Sequence, residues 1–372
     1  MTTALKGLKV LDFSTLLPGP FATLYLADLG AEVIHIESPT RTDLIRLLPP
    51  YAHGQATAHS YLNRNKQSVT LDLKDPHNIE LIKQKITEYD IVVEQFRPGV
   101  MQRLGLDYAT LAALNPRLIY CSITGYGQTG SYKDKAGHDI NYLALAGIAG
   151  HSGRQEGGPP ALGIQVADVA GGSLHAVIGI LAAVVERERS GLGQYIDISM
   201  TDCVATLNNM AAAATLAGNT KQFPEQSYLN GGSFYDYYQT QDGRYLSIGS
   251  LEPQFMSGLA HILDLPILGE KGASFDPADQ HVVKRALQEK IQSKTWQEWQ
   301  VIFADQDVCV EPVLTLDEAL DSRLAQERKW AIDVPLAPDS KQTETQLACP
   351  IKFSRSQAEY LYIGQHLGAG NW

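Results

Sequence analysis

Short apolar runs alternate with longer amphipathic ones through the first half of the chain. "LKVLDF" is a β-rich run, and "PFATLYLADLG" after it opens on Pro and stops on Gly, the punctuation of a helix. "AEVIHIES", "SVTLDLK", "IVVEQF" and "RLIYCSIT" read as further strands. Between them "PHNIELIKQKITEYD", "VMQRLG" and "YATLAALNP" read as helices. Strands separated by helices predict an α/β unit whose parallel sheet is covered on both faces. Ligands on such sheets bind at the carboxyl ends of the strands. Here several strands run into the loops "STLLPGP", "RPGV" and "TGYGQTG".

The second half begins with a helix near Asp168, a strand in "GQYIDISM" and an Ala-rich helix, "TDCVATLNNMAAAATLAG". The pattern then lapses in "GNTKQFPEQSYLNGG". After it come strands around a "QDG" turn ("FYDYYQT", "GRYLSIGS"), then the helices "PQFMSGLAHIL" and "TWQEWQVIFAD". The tail, "WAIDVPL" to "CPIKFSR", reads as short strands. The expected organisation is a large α/β domain over 1–216 with 331–372, a linker at 217–230 and a small α+β domain over 231–330.

Composition narrows the functions. The 372 residues carry a formal net charge of −11, which argues against broad nucleic-acid binding, since that rests on Lys and Arg neutralising phosphates. The four cysteines form no CxxC pair, which fits a reducing compartment rather than a disulfide or zinc framework. No signal-peptide pattern opens the chain, so the expectation is cytoplasmic. "SLHAVIGILAAVVERERS" reads as a buried helix, too short and too charged at its end to span a bilayer. No GxxxxGK[ST] occurs, and the GxGxxG spacing occurs once, as "GYGQTG" at 125–130, where it runs into a polar loop instead of opening a helix, which leaves a nicotinamide or P-loop nucleotide reading with little support.

Three residues could carry chemistry. Asp168, with Gly171 and Gly172 opening an apolar helix, is a helix-capping carboxylate on one reading. On the other it is a base beside free backbone N–H groups that hold an oxyanion, the glycines admitting a ligand. His138 in "AGHDINYLALAG" closes a loop or transfers a proton, as imidazole does best near neutral pH. Glu252 in "SLEPQF" either caps an element or orients a base. Arg41, Arg46, Arg64, Lys66, Lys74, Arg97 and Arg103 crowd near strand ends, as a polyphosphate ligand would require.

The long stretches "LKGLKVLDFSTLLPGPFATLYLADLGAEVIHIESP", "LNRNKQSVTLDLK", "EQFRPGVMQRLGLDYATLAALNPRLIYCSITGYGQTG" and "GQYIDISM" strongly resemble the family III CoA-transferases (the CaiB/BaiF family). "GHDINYLAL", "DVAGG" and "GGSFYDYYQTQDGRYLSIGSLEPQF" resemble its α-methylacyl-CoA racemase branch. The resemblance implies a large Rossmann-like domain, a smaller α+β domain and an interlocked homodimer. It implies an acyl-CoA substrate, with no metal, NAD or flavin and no cofactor beyond the CoA moiety. His138 and Asp168 match the two opposed bases, and Glu252 the glutamate that supports the histidine. The CoA-binding positions fall on Leu17, Arg41, Leu71, Leu73, Lys74, Arg97, Arg103, Gly137 and Tyr142. One departure is Ser38, where the racemases carry an arginine; Arg41 or Arg46 is the expected replacement.

The implied reaction is 1,1-proton transfer at the α-carbon of a 2-methylacyl-CoA thioester through an enolate, with a bell-shaped pH dependence. The alternative is CoA transfer between carboxylic acids, with Asp168 as nucleophile. A CoA-ester binder without turnover is a third reading, at odds with the presence of all three chemical residues.

Overall fold

A computed structural model of the chain describes residues 2–218 and 221–372. The described residues form two compact units.

The first unit, 1–146 with 162–207 and 323–372, is built on a parallel sheet. Its strands are β1 (Lys9–Asp12), β2 (Glu32–Glu37), β3 (Lys66–Thr70), β4 (Ile91–Glu94), β5 (Ile119–Thr124) and β6 (Tyr195–Ser199), in the order β3-β2-β1-β4-β5-β6. This is the doubly wound order, and its direction reverses between β1 and β4. Both faces are buried, which is why these strands are apolar runs rather than alternating ones. Leu11, Ile34, Val92 and Tyr120 pack with Ile79, Ile82 and Leu111 on one face. The alternate residues Val10, Val33, Val93 and Cys121 are equally buried on the other.

The helices connecting these strands are α1 (Pro18–Asp28), α2 (Pro76–Lys85), α3 (Val100–Leu104) and α4 (Tyr108–Leu114). α5 (Asp139–Leu145) follows β5, and α6 runs continuously from Ala167 to Ser190. By length and composition α6 could cross a membrane, contrary to the expectation that it is too short; here Ala176, Val177, Ile180 and Ala183 are buried. The Ala-rich stretch forms two helices, α7 (Met200–Leu207) and α8 (Asn209–Gly218), instead of one.

A buried ionic cluster joins the first three strands, with Asp12 ending β1, His35 inside β2 and Lys66 opening β3. Asp12 accepts from Thr23 Oγ1 at 2.5 Å, from Ser14 N at 2.9 Å and from His35 Nδ1 at 3.3 Å, with Lys66 Nζ 3.6 Å away. Burial alone would raise the Asp12 carboxyl; the Lys66 charge and the His35 contact overcome it and hold the group well below the usual carboxylate range. Lys66 also donates to Pro20 O and Asn63 Oδ1, so it is a structural cation rather than a free one. Arg64 likewise is closed off by Asp28 at 2.5 Å.

The second unit spans 147–161 and 208–322. Its antiparallel sheet joins β7 (Asp236–Gln239), β8 (Tyr245–Ile248) and β9 (Val310–Pro312). Phe234, Tyr238, Leu246, Leu259, Leu287 and Trp299 are the centre of its core. The boundaries differ from those expected. Segment 147–161, expected in the large domain, belongs here because Arg154 pairs with Asp236 at 2.6 Å and with Glu225 at 3.0 Å, while Asn230 Nδ2 donates to His151 O at 2.8 Å. Those same bonds place the described part of the expected linker in this unit; residues 219 and 220 of it lie outside the described residues. Residues 323–330 go with the first unit.

Candidate active site

His138 is the N-cap residue of α5, with extended backbone (φ −132°, ψ 174°) and an exposed side chain. The loop before it is fixed from behind. Tyr142, buried one helical turn on, donates its hydroxyl to Gly137 O at 2.5 Å. Glycine is required at 137 because a Cβ there would stand 2.7 Å from both Tyr126 Oη and Tyr142 Cε1. The His138 N–H donates to Asn141 Oδ1 at 3.0 Å, closing the first turn.

Asp168 lies in the first turn of α6, which is wound as a π-helix over Ala167–Leu174 before continuing as α-helix. π-turns are rare and concentrate at functional sites. The glycines do not open the backbone to a ligand, as the sequence suggested. A Cβ on Gly171 would lie 2.8 Å from Val204 Cγ1 and 3.1 Å from Met200 O, and one on Gly172 would lie 3.0 Å from Pro18 Cβ. They let α6 pack closely on α7 and α1, and Ser173 Oγ donates to Pro18 O at 2.7 Å.

The N–H groups at the start of α6 are also not free. Asp139 Oδ1 accepts from Ala167 N at 2.5 Å and from Asp168 N at 3.2 Å. The residue after His138 thus clamps the turn that carries Asp168, and the oxyanion site expected there is occupied by a carboxylate. Sequence reasoning passed over Asp139; its one local signal is an acidic residue in the first turn of a helix, which reads as a dipole partner for α5.

The clamp has an electrostatic consequence. Burial, and then the Asp139 charge, raise the Asp168 carboxyl, while His138 pulls it back; the balance leaves it at about 6. The structure therefore brings His138 and Asp168 within electrostatic reach of each other. Among the described residues, nothing hydrogen-bonds to the Asp168 carboxylate.

Glu252 belongs to the second unit. It is exposed and is the N-cap residue of the helix Pro253–Ile262, but its carboxylate accepts no capping hydrogen bond from the helix. Its carboxylate adds to the upward shift of the nearby Cys309 thiol, after burial.

The CoA-binding candidates collect at one end of the first unit. Leu17 follows β1, Arg41 follows β2, Leu71, Leu73 and Lys74 follow β3, and Arg97 and Arg103 follow β4, all at the carboxyl ends of neighbouring strands. Arg41, Lys74, Arg97 and Arg103 are exposed. Arg46 is not available: it grips Glu37 through Nη2 at 2.5 Å and Nε at 2.7 Å. Of the two candidates to replace the missing arginine at Ser38, Arg41 is the uncommitted one, its backbone N–H held by Ser38 Oγ at 3.1 Å.

Residues 5–367 match the model of CoA-transferase family III. The chain is 39% identical to the α-methylacyl-CoA racemase of Mus musculus over 326 residues, 87% of this chain and 81% of that protein. It is 33% identical to the succinyl-CoA:glutarate CoA-transferase of Homo sapiens over 315 residues, 83% of this chain and 71% of that one. A crystal structure of a CaiB/BaiF family protein from Brucella suis superposes with a TM-score of 0.84 at 30% identity, covering 99% of this chain and 97% of that one.

Proposed function

The chain belongs to CoA-transferase family III, as an enzyme of the α-methylacyl-CoA racemase-like kind, and from that premise we propose that it inverts 2-methylacyl-CoA thioesters at the α-carbon. One of His138 and Asp168 removes the α-proton, leaving the thioester enolate. The other delivers a proton to the opposite face, so the reaction is balanced with no second substrate. The observation that carries this reading is the Asp168 carboxyl raised to about 6 beside an imidazole. Two-way proton transfer needs one partner protonated and the other not, with similar affinities, and raising Asp168 out of the ordinary carboxylate range of about 3.9 moves it toward that match. Since Asp139 occupies the first N–H groups of α6, enolate stabilisation falls to other donors.

Glu252 is the proposed support for His138, and Leu17, Arg41, Leu71, Leu73, Lys74, Arg97, Arg103, Gly137 and Tyr142 the proposed CoA-binding set. No cofactor beyond the CoA moiety enters the scheme, and full turnover after exhaustive chelation is the expected result.

The test is deuterium uptake. A 2-methylacyl-CoA of one configuration is incubated in heavy water, the α-proton followed by NMR and the configuration by chiral analysis. Exchange with inversion is expected, falling by about 10²–10⁴-fold in His138→Ala and in Asp168→Ala. The transferase reading is kept alive by the 33% identity to the glutarate CoA-transferase. It predicts instead no exchange, and CoA transfer to an added dicarboxylate that needs Asp168 but not His138.

A further inference from the structure

A cavity of about 300 Å³ lies between the sheet and α3–α4, lined from β4, β5 and β6, and of its lining only Arg97 belongs to the proposed CoA-binding set. At its inner end is Glu94, only 3% exposed. The Glu94 carboxyl accepts from the Ser122 hydroxyl and from Phe96 N at 2.8 Å. Tyr195 in turn donates to Ser122 Oγ at 3.1 Å. No cation pairs with Glu94 among the described residues, and burial without a counter-charge pushes it up to about 7.

The walls are aromatic. Tyr108, Tyr120 and Tyr195 pack on one another with ring centroids 5.7, 5.8 and 6.2 Å apart. The Tyr120 and Tyr108 hydroxyls are committed to Leu106 O and Gly193 O, so what remains of them for a ligand is ring surface. Asp107 is committed as well, to Thr110 N and Oγ1. Two groups of opposite character complete the lining. Arg97 is exposed and makes no ion pair among the described residues, and Gln128 Nε2 is buried with no acceptor.

An uncompensated buried carboxyl beside clustered aromatic rings suits an ammonium group, through charge and cation–π attraction. A guanidinium and an orphaned amide N–H₂ suit a carboxylate. We propose that this cavity is a binding site for a free amino acid, its ammonium set against Glu94 and the tyrosine wall and its carboxylate against Arg97 and Gln128. The site shares Arg97 with the proposed CoA-binding set, and its test is run without CoA, so its failure leaves the racemase reading untouched.

Proton linkage follows from the same geometry. The charged or titratable groups around Glu94 are Arg97, Asp107, Asp197, Cys121 and the tyrosines Tyr108, Tyr120 and Tyr195; Asp197 is itself raised by burial and accepts from Gln128 N at 3.0 Å, and burial and then Glu94 push the Cys121 thiol up. Below about pH 7 Glu94 is neutral, so an arriving ammonium expels its proton; at higher pH the carboxyl is already ionised and nothing is released.

The experiment is isothermal titration of the full chain with L-alanine, β-alanine and 4-aminobutyrate, and with butylamine and butyrate as the separate halves. At least one amino acid is expected to bind about tenfold or more tighter than either half, and about tenfold more weakly to Glu94→Gln. Comparison of buffers with different ionisation heats should show proton release near pH 6 and none near pH 8. Tyr195→Phe keeps the ring and should keep the affinity. If Glu94→Gln fails to fold, Gln128→Leu serves in its place and should also weaken binding. Absence of binding by all three amino acids, or equal binding by wild type and the variants, overturns the proposal.

Discussion

Asp139 does two things to its neighbour. It fixes the turn that carries Asp168 through two N–H bonds, and it raises the Asp168 carboxyl by its charge. These effects can be separated by substitution. Asp139→Asn keeps an acceptor oxygen but removes the charge, so the Asp168 value should fall below about 6 and the acid limb of the rate profile should move to lower pH. Asp139→Ala loses the acceptor too and should cost about 1 kcal/mol of stability, as lost caps do. A carbon-13 NMR titration of the Asp168 carboxyl reads the first effect without relying on turnover, and thermal melts read the second. An unchanged Asp168 titration in Asp139→Asn would mean that burial alone sets its value. Glu94 gives a second titration at this scale. Its folded value of about 7 lies above the unfolded one, so its contribution to stability is greatest at low pH and is lost as pH rises through 7. Glu94→Gln should therefore melt higher than wild type at pH 8 by an amount that vanishes only below the unfolded value of 4.5, the gap at pH 8 corresponding to about 3 kcal/mol.

At the scale of elements, β1, β2 and β3 are joined by buried charges as well as by packing. Asp12, His35 and Lys66 meet there without solvent. Removing one partner of a buried pair strands the other, so Lys66→Met should cost about 3–5 kcal/mol in urea unfolding. It should also loosen the turn before α1 that holds Leu17, weakening CoA binding. The π-turn of α6 depends in the same way on what lies beneath it. Gly171→Ala puts a methyl group against the Met200 carbonyl and Val204, neither of which is a flexible side-chain end. Reduced melting temperature together with loss of exchange is expected there, because the displaced turn carries Asp168.

For the whole molecule, the first unit leaves a set of large apolar residues in solvent: Ile164, Ile178, Val185 and Leu192 are each more than half exposed. Apolar area of that kind is covered in a stable assembly, which supports the homodimer that the family resemblance implies. Light scattering should give twice the mass of one chain. Ile164→Asp with Ile178→Asp should shift the protein toward the single-chain mass; a wild-type monomer at micromolar concentration would remove the dimer from the scheme.

The sequence by itself determined the strand and helix succession of the first unit, because a sheet buried on both faces leaves apolar runs and because Pro and Gly mark helix ends locally. "AEVIHIES" became β2 and "RLIYCSIT" β5 with ends shifted by a residue or two. It also offered His138, Asp168 and Glu252 as candidates through the family resemblance, and it placed a crowd of basic residues near strand ends. What it did not contain was which of those residues were already engaged. Arg46 and Lys66 look as free as Arg41 along the chain, and only the fold sets Glu37 and Asp12 beside them. Asp139 and Ala167 are 28 positions apart, so no local pattern records that one caps the other. Segment 147–161 lies between two parts of the first unit in sequence, yet salt bridges from Arg154 hold it in the second. Periodicity is a property of neighbouring residues and survives in the sequence. The pairing of charges, the occupation of N–H groups and the packing against a glycine depend on the path of the backbone through space, and only the tertiary structure decided them.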